Sequence, residues 1–137
     1  MKLNNTDHDL ALLQGTWEQV AHEANGTPCA PDEFSDAVTS FNGNEYTVAR
    51  PDGTVLVKGT IRLDATTIPR QAVLMRVAGL DQGKIFPAIY NITGDSLVLA
   101  AANDDRRLVP TDFKTEIGQF LRRFVRKRHG NEKTAAE

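Results

Sequence analysis

The side chains able to do chemistry are few in this chain, and they are scattered. The three histidines are His8, His22 and His129. No His-x-x-x-His or Cys-x-x-Cys spacing brings metal ligands together, so neither a metal site nor a cofactor is expected. The single cysteine, Cys29, precedes Ala30-Pro31 with no base beside it in sequence and reads as a plain loop thiol. Nucleophile elbows, phosphate-cradling loops and dinucleotide fingerprints are all missing from the sequence. What is left is a set of polar groups, Gln19, Glu23, Tyr46, Arg76 and Tyr90, that would matter only inside an apolar enclosure. There they could orient a guest or move a proton, because water is excluded. His22 and Glu23 could pair for proton transfer only from the interior, and strict alternation puts His22 on the face opposite Trp17.

Those groups need an enclosure, and the chain punctuates itself as one. Of 137 residues, 40% are apolar and 25% charged, the composition of an ordinary globular domain. Sixteen Lys and Arg against eighteen Asp and Glu leave a net charge of -2, so no nucleic-acid partner is expected. No apolar run is long enough to span a membrane. One cysteine and a polar start before Leu10 point to a cytoplasmic protein.

Turn triplets at Asn42-Gly43-Asn44, Pro51-Asp52-Gly53 and Thr93-Gly94-Asp95 separate segments rich in Val, Ile, Thr, Tyr and Phe. That is the rhythm of antiparallel hairpins. Residues 54–63 alternate most cleanly, with Val55, Val57, Gly59, Ile61 and Leu63 on one face. Tyr46 and Val48 behave likewise in 45–50, and Leu97 and Leu99 in 96–102. With 15–23, 36–41, 71–77, 85–92 and a closing segment, the count is about eight strands, and a meander hides its two edges most simply by closing into a barrel.

Residues 6–13 predict one or two helical turns, with Thr6 as N-cap and Leu10, Leu12 and Leu13 covering a barrel end. Residues 25–33 read as a loop. The C-terminal stretch is ambiguous. Phe113, Ile117, Phe120, Leu121 and Phe124 recur at helical spacing, yet 119–127 also alternates, with Phe120, Arg122, Phe124 and Arg126 on one face.

If Trp17 points inward, strict alternation carries Gln19, Ala21 and Glu23 with it, and Ala88, Tyr90, Leu97, Leu99 and Ala101 share that space. Small residues among large ones suit either a pocket or a packed core. Arg76 anchors a carboxylate if its face is internal, and is an ordinary surface arginine otherwise. The basic cluster Arg122, Arg123, Arg126, Lys127 and Arg128 reads as a solvated face, with an acidic partner as the alternative. Asp104-Asp105-Arg106-Arg107 reads as a hairpin tip.

Several motifs in order resemble lipocalin-like (calycin) proteins, in particular the small bacterial lipocalin-like domain first catalogued in planctomycetes. They are Leu13-Gln14-Gly15-Thr16-Trp17, the 43–46 hairpin, 59–63, the run from Ile89-Tyr90 through Thr93-Gly94-Asp95 to Leu99, and Val109-Pro110-Thr111-Asp112-Phe113. Two positions depart from the pattern: Val109 stands where a basic residue is usual, and Gln19 where an aliphatic is. The resemblance implies an all-β, antiparallel up-and-down lipocalin-like β-barrel of about eight strands with a short N-terminal helical turn, and a strand at 119–127. The match covers roughly Leu13 to Arg128; with no internal repeat, low-complexity tract or interior linker, a single domain over 1–137 is expected, with an N-terminal segment 1–12, a barrel 13–128 and a small, polar, frayed tail 129–137. The resemblance also implies that Trp17 plugs the barrel floor with Arg126 or Arg128 stacked on its indole.

The expected function is binding of a small, mainly apolar molecule in the interior, with Gln19, Tyr46, Arg76 and Tyr90 lining the site and Trp17 and Arg126 structural. Two alternatives stay open: an enzyme using the pocket for a cyclisation or isomerisation, and a protein-interaction module. The expected partner is a small apolar ligand, without nucleic acid or membrane, and self-association into a homo-oligomer stays open.

Overall fold

The computed structural model describes residues 5–30, 36–102 and 109–127. Helix α1 (Asn5–Leu13) precedes strands β1 (Gly15–Ala24), β2 (Thr27–Pro28), β3 (Val38–Asn42), β4 (Glu45–Ala49), β5 (Val55–Asp64), β6 (Gln71–Gly79), β7 (Ile85–Thr93), β8 (Ser96–Ala102) and β9 (Gln119–Arg126). Strands β1 and β3 to β9 pair in chain order, and β9 pairs back onto β1, which closes an antiparallel barrel of eight strands. The two-residue β2 folds back on the end of β1, within the segment expected to be a plain loop. The tight turns β3–β4, β4–β5 and β7–β8 fall on the three expected triplets. The 104–107 tip, Arg128, His129 and the 129–137 tail lie outside the described residues. Among those described, no helix is long and apolar enough to cross a membrane.

The helical spacing of the C-terminal stretch does not produce a helix. Residues 119–126 form β9, which satisfies both β8 and β1 and leaves neither with an open edge. The residues before it lie across the outside of the barrel. There Phe113 packs on Ile89, Ala100 and Leu121, a second apolar cluster on the face opposite the core. The Thr115 amide and hydroxyl donate to the Glu23 carboxylate at 3.2 and 2.7 Å, which holds that carboxyl below its usual range and pins the segment to β1.

Strand β1 carries the main departure from simple alternation. Its register against β9 shifts between Gln19 and Ala21, so Val20 is the extra residue of a bulge. Before the bulge Trp17 and Gln19 stand opposite Arg126 and Phe124; after it His22 and Ala24 stand opposite Arg122 and Phe120. The inward series is therefore Trp17, Gln19, His22 and Ala24. His22 shares the face of Trp17, contrary to the alternation, and its ring meets Phe120 edge-on at 6.5 Å. Ala21 and Glu23 turn outward instead. One inserted residue reverses the pattern because side-chain direction in a strand has period two.

One barrel end is shut by α1, and here the backbone accounting closes. The last four carbonyls of a helix have no partner within it and must find one elsewhere. Leu10 O accepts from Gln14 Nε2 at 3.0 Å and Ala11 O from the Gln14 amide at 3.3 Å. Leu12 O accepts from Arg126 Nη2 at 2.6 Å and Leu13 O from Trp17 Nε1 at 2.8 Å. The Arg126 Nη1 also donates to Gln14 O at 2.7 Å, while its guanidinium lies 4.3 Å over the centre of the fully buried Trp17 ring. A cation at a helix C-terminus also meets the negative end of the helix dipole. Gly15, with φ 110, makes the turn that lets Trp17 reach back. Leu13 is buried and Leu10 packs on the core, whereas Leu12 stays exposed. Thr6, expected as the N-cap, lies in the first turn, and its hydroxyl accepts the Ala65 amide at 3.0 Å.

Replacing Arg126 by Ala leaves the Leu12 and Gln14 carbonyls short of a donor and uncovers the indole, and should cost about 2–4 kcal/mol. Urea denaturation measures this, and a loss under about 1 kcal/mol would show that the arginine does not hold this end together.

Candidate functional site

Just inside the shut end lies a buried polar cluster. Asp9 of α1 is only 2% exposed. It takes hydrogen bonds from Arg70 Nη1 at 2.9 and 3.1 Å and from the Tyr90 hydroxyl at 2.7 Å. A buried carboxylate needs such partners to offset its lost hydration. The cluster ties α1 to β7 and to the turn before β6, and so acts as a latch on the plug.

The other end, toward the finish of β1 and the start of β7 and β9, is different. There the barrel keeps a partly open chamber of about 80 Å³. On the same kind of measure a single water needs roughly 10–15 Å³, so the space is more than a packing defect. Its walls are apolar, with Phe41, Leu74, Phe86, Leu97, Leu99 and Phe120 prominent, and Ala101 at 0% exposure leaves room where a larger residue would fill it. Five polar side chains interrupt these walls: Thr39 on β3, and Gln19, Tyr46, Arg76 and Arg122.

Each is placed by the fold. Tyr46 projects from β4 across Gly59 of β5, where an added Cβ would lie 2.6 Å from the phenol ring and 2.4 Å from the Met75 carbonyl. A side chain at position 59 would push the tyrosine out of place. Burial pushes the Tyr46 phenol upward, and the neighbouring Arg76 guanidinium, which also hydrogen-bonds it, opposes that rise. Arg76 lies 4.8 Å over the Phe86 ring, and its Nη1 reaches Leu80 O and Asp81 Oδ2, each at 3.3 Å. Arg122 donates to Gln19 Oε1 and lies 5.5 Å from the Phe120 ring centre. Phe86 and Phe120 meet edge to face at 5.9 Å. The two arginines thus flank one aromatic pair.

Of the four residues expected at a ligand, the structure brings Gln19, Tyr46 and Arg76 to the chamber. Tyr90 lies instead in the Asp9 cluster at the shut end. Glu23, considered as an acid–base group, is on the outside with Thr115. Arg122, expected on a solvated face, lines the chamber instead; its sharing a strand face with Phe120 and Phe124 is the signal in the sequence that it turns inward. The aromatic pair, Phe86 with Phe120, was not anticipated, nor was the Asp9–Arg70 bridge. Asp9 stands one helical turn before buried Leu13, which was a local hint, but nothing near Arg70 in the sequence announced its partner. Among the described residues no group of three His, Cys, Asp or Glu side chains could hold a metal ion. Comparisons of the chain with family models, curated proteins and solved structures found no match.

The latch makes a pH prediction. Burial first, and then the hydrogen bond to Asp9 and its charge, hold the Tyr90 phenol well above its ordinary value of 10.0. The unfolded chain releases this proton before the folded protein does, so the tyrosine's contribution is complete below about pH 10 and is lost as pH rises beyond it. Melting temperature should fall between about pH 9 and about pH 11, and less steeply in Tyr90→Phe. Equal slopes for the two proteins would remove Tyr90 from the account.

Proposed function

We propose that the protein binds a small, mainly apolar molecule in the open chamber of its barrel. The observation that carries this reading is the chamber itself: an apolar space, left unfilled, inside walls that pack closely elsewhere. Water reaching a chamber of about 80 Å³ with mainly apolar walls finds few hydrogen-bond partners there, so an apolar guest of the right shape gains by displacing it. The volume is roughly half that of an apolar cavity known to accept benzene. It therefore suits a short aliphatic body, or the end of a longer one leaving through the mouth.

The shut end supports the same reading, because it makes the barrel a cup and not a tube. The motif series from Leu13 to Phe113 further suggests kinship with the bacterial lipocalin-like domain first catalogued in planctomycetes. In support, the Gly15-Thr16-Trp17 stretch sits where it can build that cup's floor with Arg126. We read the chain as one domain, with the N-terminal helix as part of it, and take its setting to be the cytoplasm.

Hexan-1-ol, a neutral probe of suitable size, should bind weakly but detectably by saturation-transfer NMR. In Ala101→Leu, which fills the chamber, the signal should fall at least about fivefold while the melting temperature holds or rises. An undiminished signal in that variant would place the alcohol elsewhere and end this reading.

A further inference from the structure

We propose that the guest of the chamber is neutral and carries a carbonyl oxygen, which accepts hydrogen bonds from the Tyr46 hydroxyl and the Gln19 amide. This rests on the chamber being a binding site and names the chemistry of its occupant.

A guanidinium has N–H donors and no lone pair with which to accept. Any side chain it hydrogen-bonds must therefore offer an oxygen and keep its own hydrogens for another partner. Arg76 hydrogen-bonds the Tyr46 phenol in this way, and Arg122 donates to Gln19 Oε1. The phenol is left with its O–H and the amide with both of its N–H groups. Among the described residues these hydrogens meet no acceptor. Tyr90 shows the contrast, since its proton goes to Asp9 at 2.7 Å. The polarity holds whatever else the two arginines touch, because neither can accept a hydrogen in return.

Strand register brings these partners together. Tyr46, Gly59 and Arg76 stand in one row across β4, β5 and β6, and the missing side chain at Gly59 lets the outer two meet. Gln19 stands opposite Phe124, and Arg122 is two residues before Phe124 on the same face. With Thr39 on β3, whose hydroxyl can also donate, the neutral polar groups of the chamber fall on β1, β3 and β4, which are neighbours in the sheet. Strands β7 and β8 contribute only hydrocarbon to the lining, from Phe86, Leu97, Leu99 and Ala101. One wall donates hydrogen bonds and another packs.

A carbonyl oxygen has two lone pairs, so a single such atom can accept from one of these donors or from both. Burial keeps the Tyr46 phenol protonated, and it stays a donor through the neutral range. Both guanidiniums already have partners, Arg76 in Tyr46, Asp81 and the Leu80 carbonyl, and Arg122 in Gln19. A carboxylate entering here would exchange its hydration for neutral donors and apolar walls, whereas a ketone or an ester gives up far less water.

Pentan-2-one and 2-methylpent-1-ene test this, since they share one skeleton and differ by an oxygen or a methylene group at the second carbon. Dissociation constants come from ligand-observed NMR titration of the full chain. Tyr46→Phe should weaken the ketone about threefold to tenfold, the worth of one neutral hydrogen bond, and leave the alkene within about twofold. Gln19→Leu should do the same. In the natural sequence, pentan-2-one labelled with carbon-13 at its carbonyl should give a bound resonance at or downfield of its position in water. A carbonyl without a donor moves upfield, toward its position in cyclohexane, so this reading decides the matter even if neither variant folds.

A variant in which ketone and alkene change together overturns the proposal, and so does an upfield carbonyl. Pentanoate binding the natural sequence more tightly than pentan-2-one overturns it as well, by making the guest an anion. Each of these leaves the chamber reading standing. Failure of ketone, alkene and pentanoate alike to bind defeats the chamber reading and this proposal with it.

Discussion

A single guanidinium joins the two ends of the chain. Arg126 stands on the last strand, yet its donors reach the carbonyls of Leu12 and Gln14 and its flat face covers Trp17. A barrel is stable only when its first and last strands meet, since either one left open exposes a row of unpaired backbone groups. The ladder between β1 and β9 supplies that meeting. Arg126 strengthens it where it is most exposed, at the turn from helix to strand, and its charge is well placed against the helix C-terminus. Asp95 receives the remaining Nε–H at 3.1 Å, so the last hairpin is drawn into the same knot.

Closure at one end sets the character of the other. With Leu13 of α1 packed into the core beside Trp17, and Asp9 of the same helix bonded to Arg70 and Tyr90, that end of the interior is closed. The opposite end has no helix among the described residues, and small side chains such as Ala101 leave space between aromatic ones. The bulge at Val20 belongs to this division. It turns Glu23 outward to Thr115 and brings His22 inside, so the acid that strict alternation would place in the interior braces the outer wall instead. The polar groups that line the chamber are then a hydroxyl, an amide, a phenol and two guanidiniums.

Much of the fold was legible in the sequence, for local reasons. Glycine-bearing triplets mark hairpins because few residues tolerate their backbone angles, and the alternation of 54–63 is unusually strict because β5 packs one whole face into the core. Elsewhere local signals conflicted. Residues 113–124 carry helical spacing because two different apolar surfaces are interleaved there: Phe113 and Leu121 cover the outside of the sheet, while Phe120 and Phe124 face the interior. A period read from sequence cannot separate two faces buried by different partners. The bulge was invisible for a similar reason, since nothing in Gln19-Val20-Ala21 distinguishes an inserted residue from a paired one. Tyr46 and Arg76 were recoverable from alternation. Arg122 was obscured by the neighbouring basic residues, which made a solvated strip the simpler reading, and Asp9 with Arg70 joins positions far apart in sequence.

The account stands on β1 and β9 lying side by side in solution. Backbone nuclear Overhauser contacts decide this most directly. Trp17 and Arg126 form a directly opposed pair, and the Lys127 amide donates to Thr16 O at 2.8 Å next to it. That pattern makes Trp17–Arg126 a non-hydrogen-bonded pair, with its two α-protons close together. A strong α-proton contact between Trp17 and Arg126, repeated between Gln19 and Phe124, is the predicted result. Helical contacts within 119–126, with no cross-strand signal to β1, would contradict it and leave the chamber without a wall.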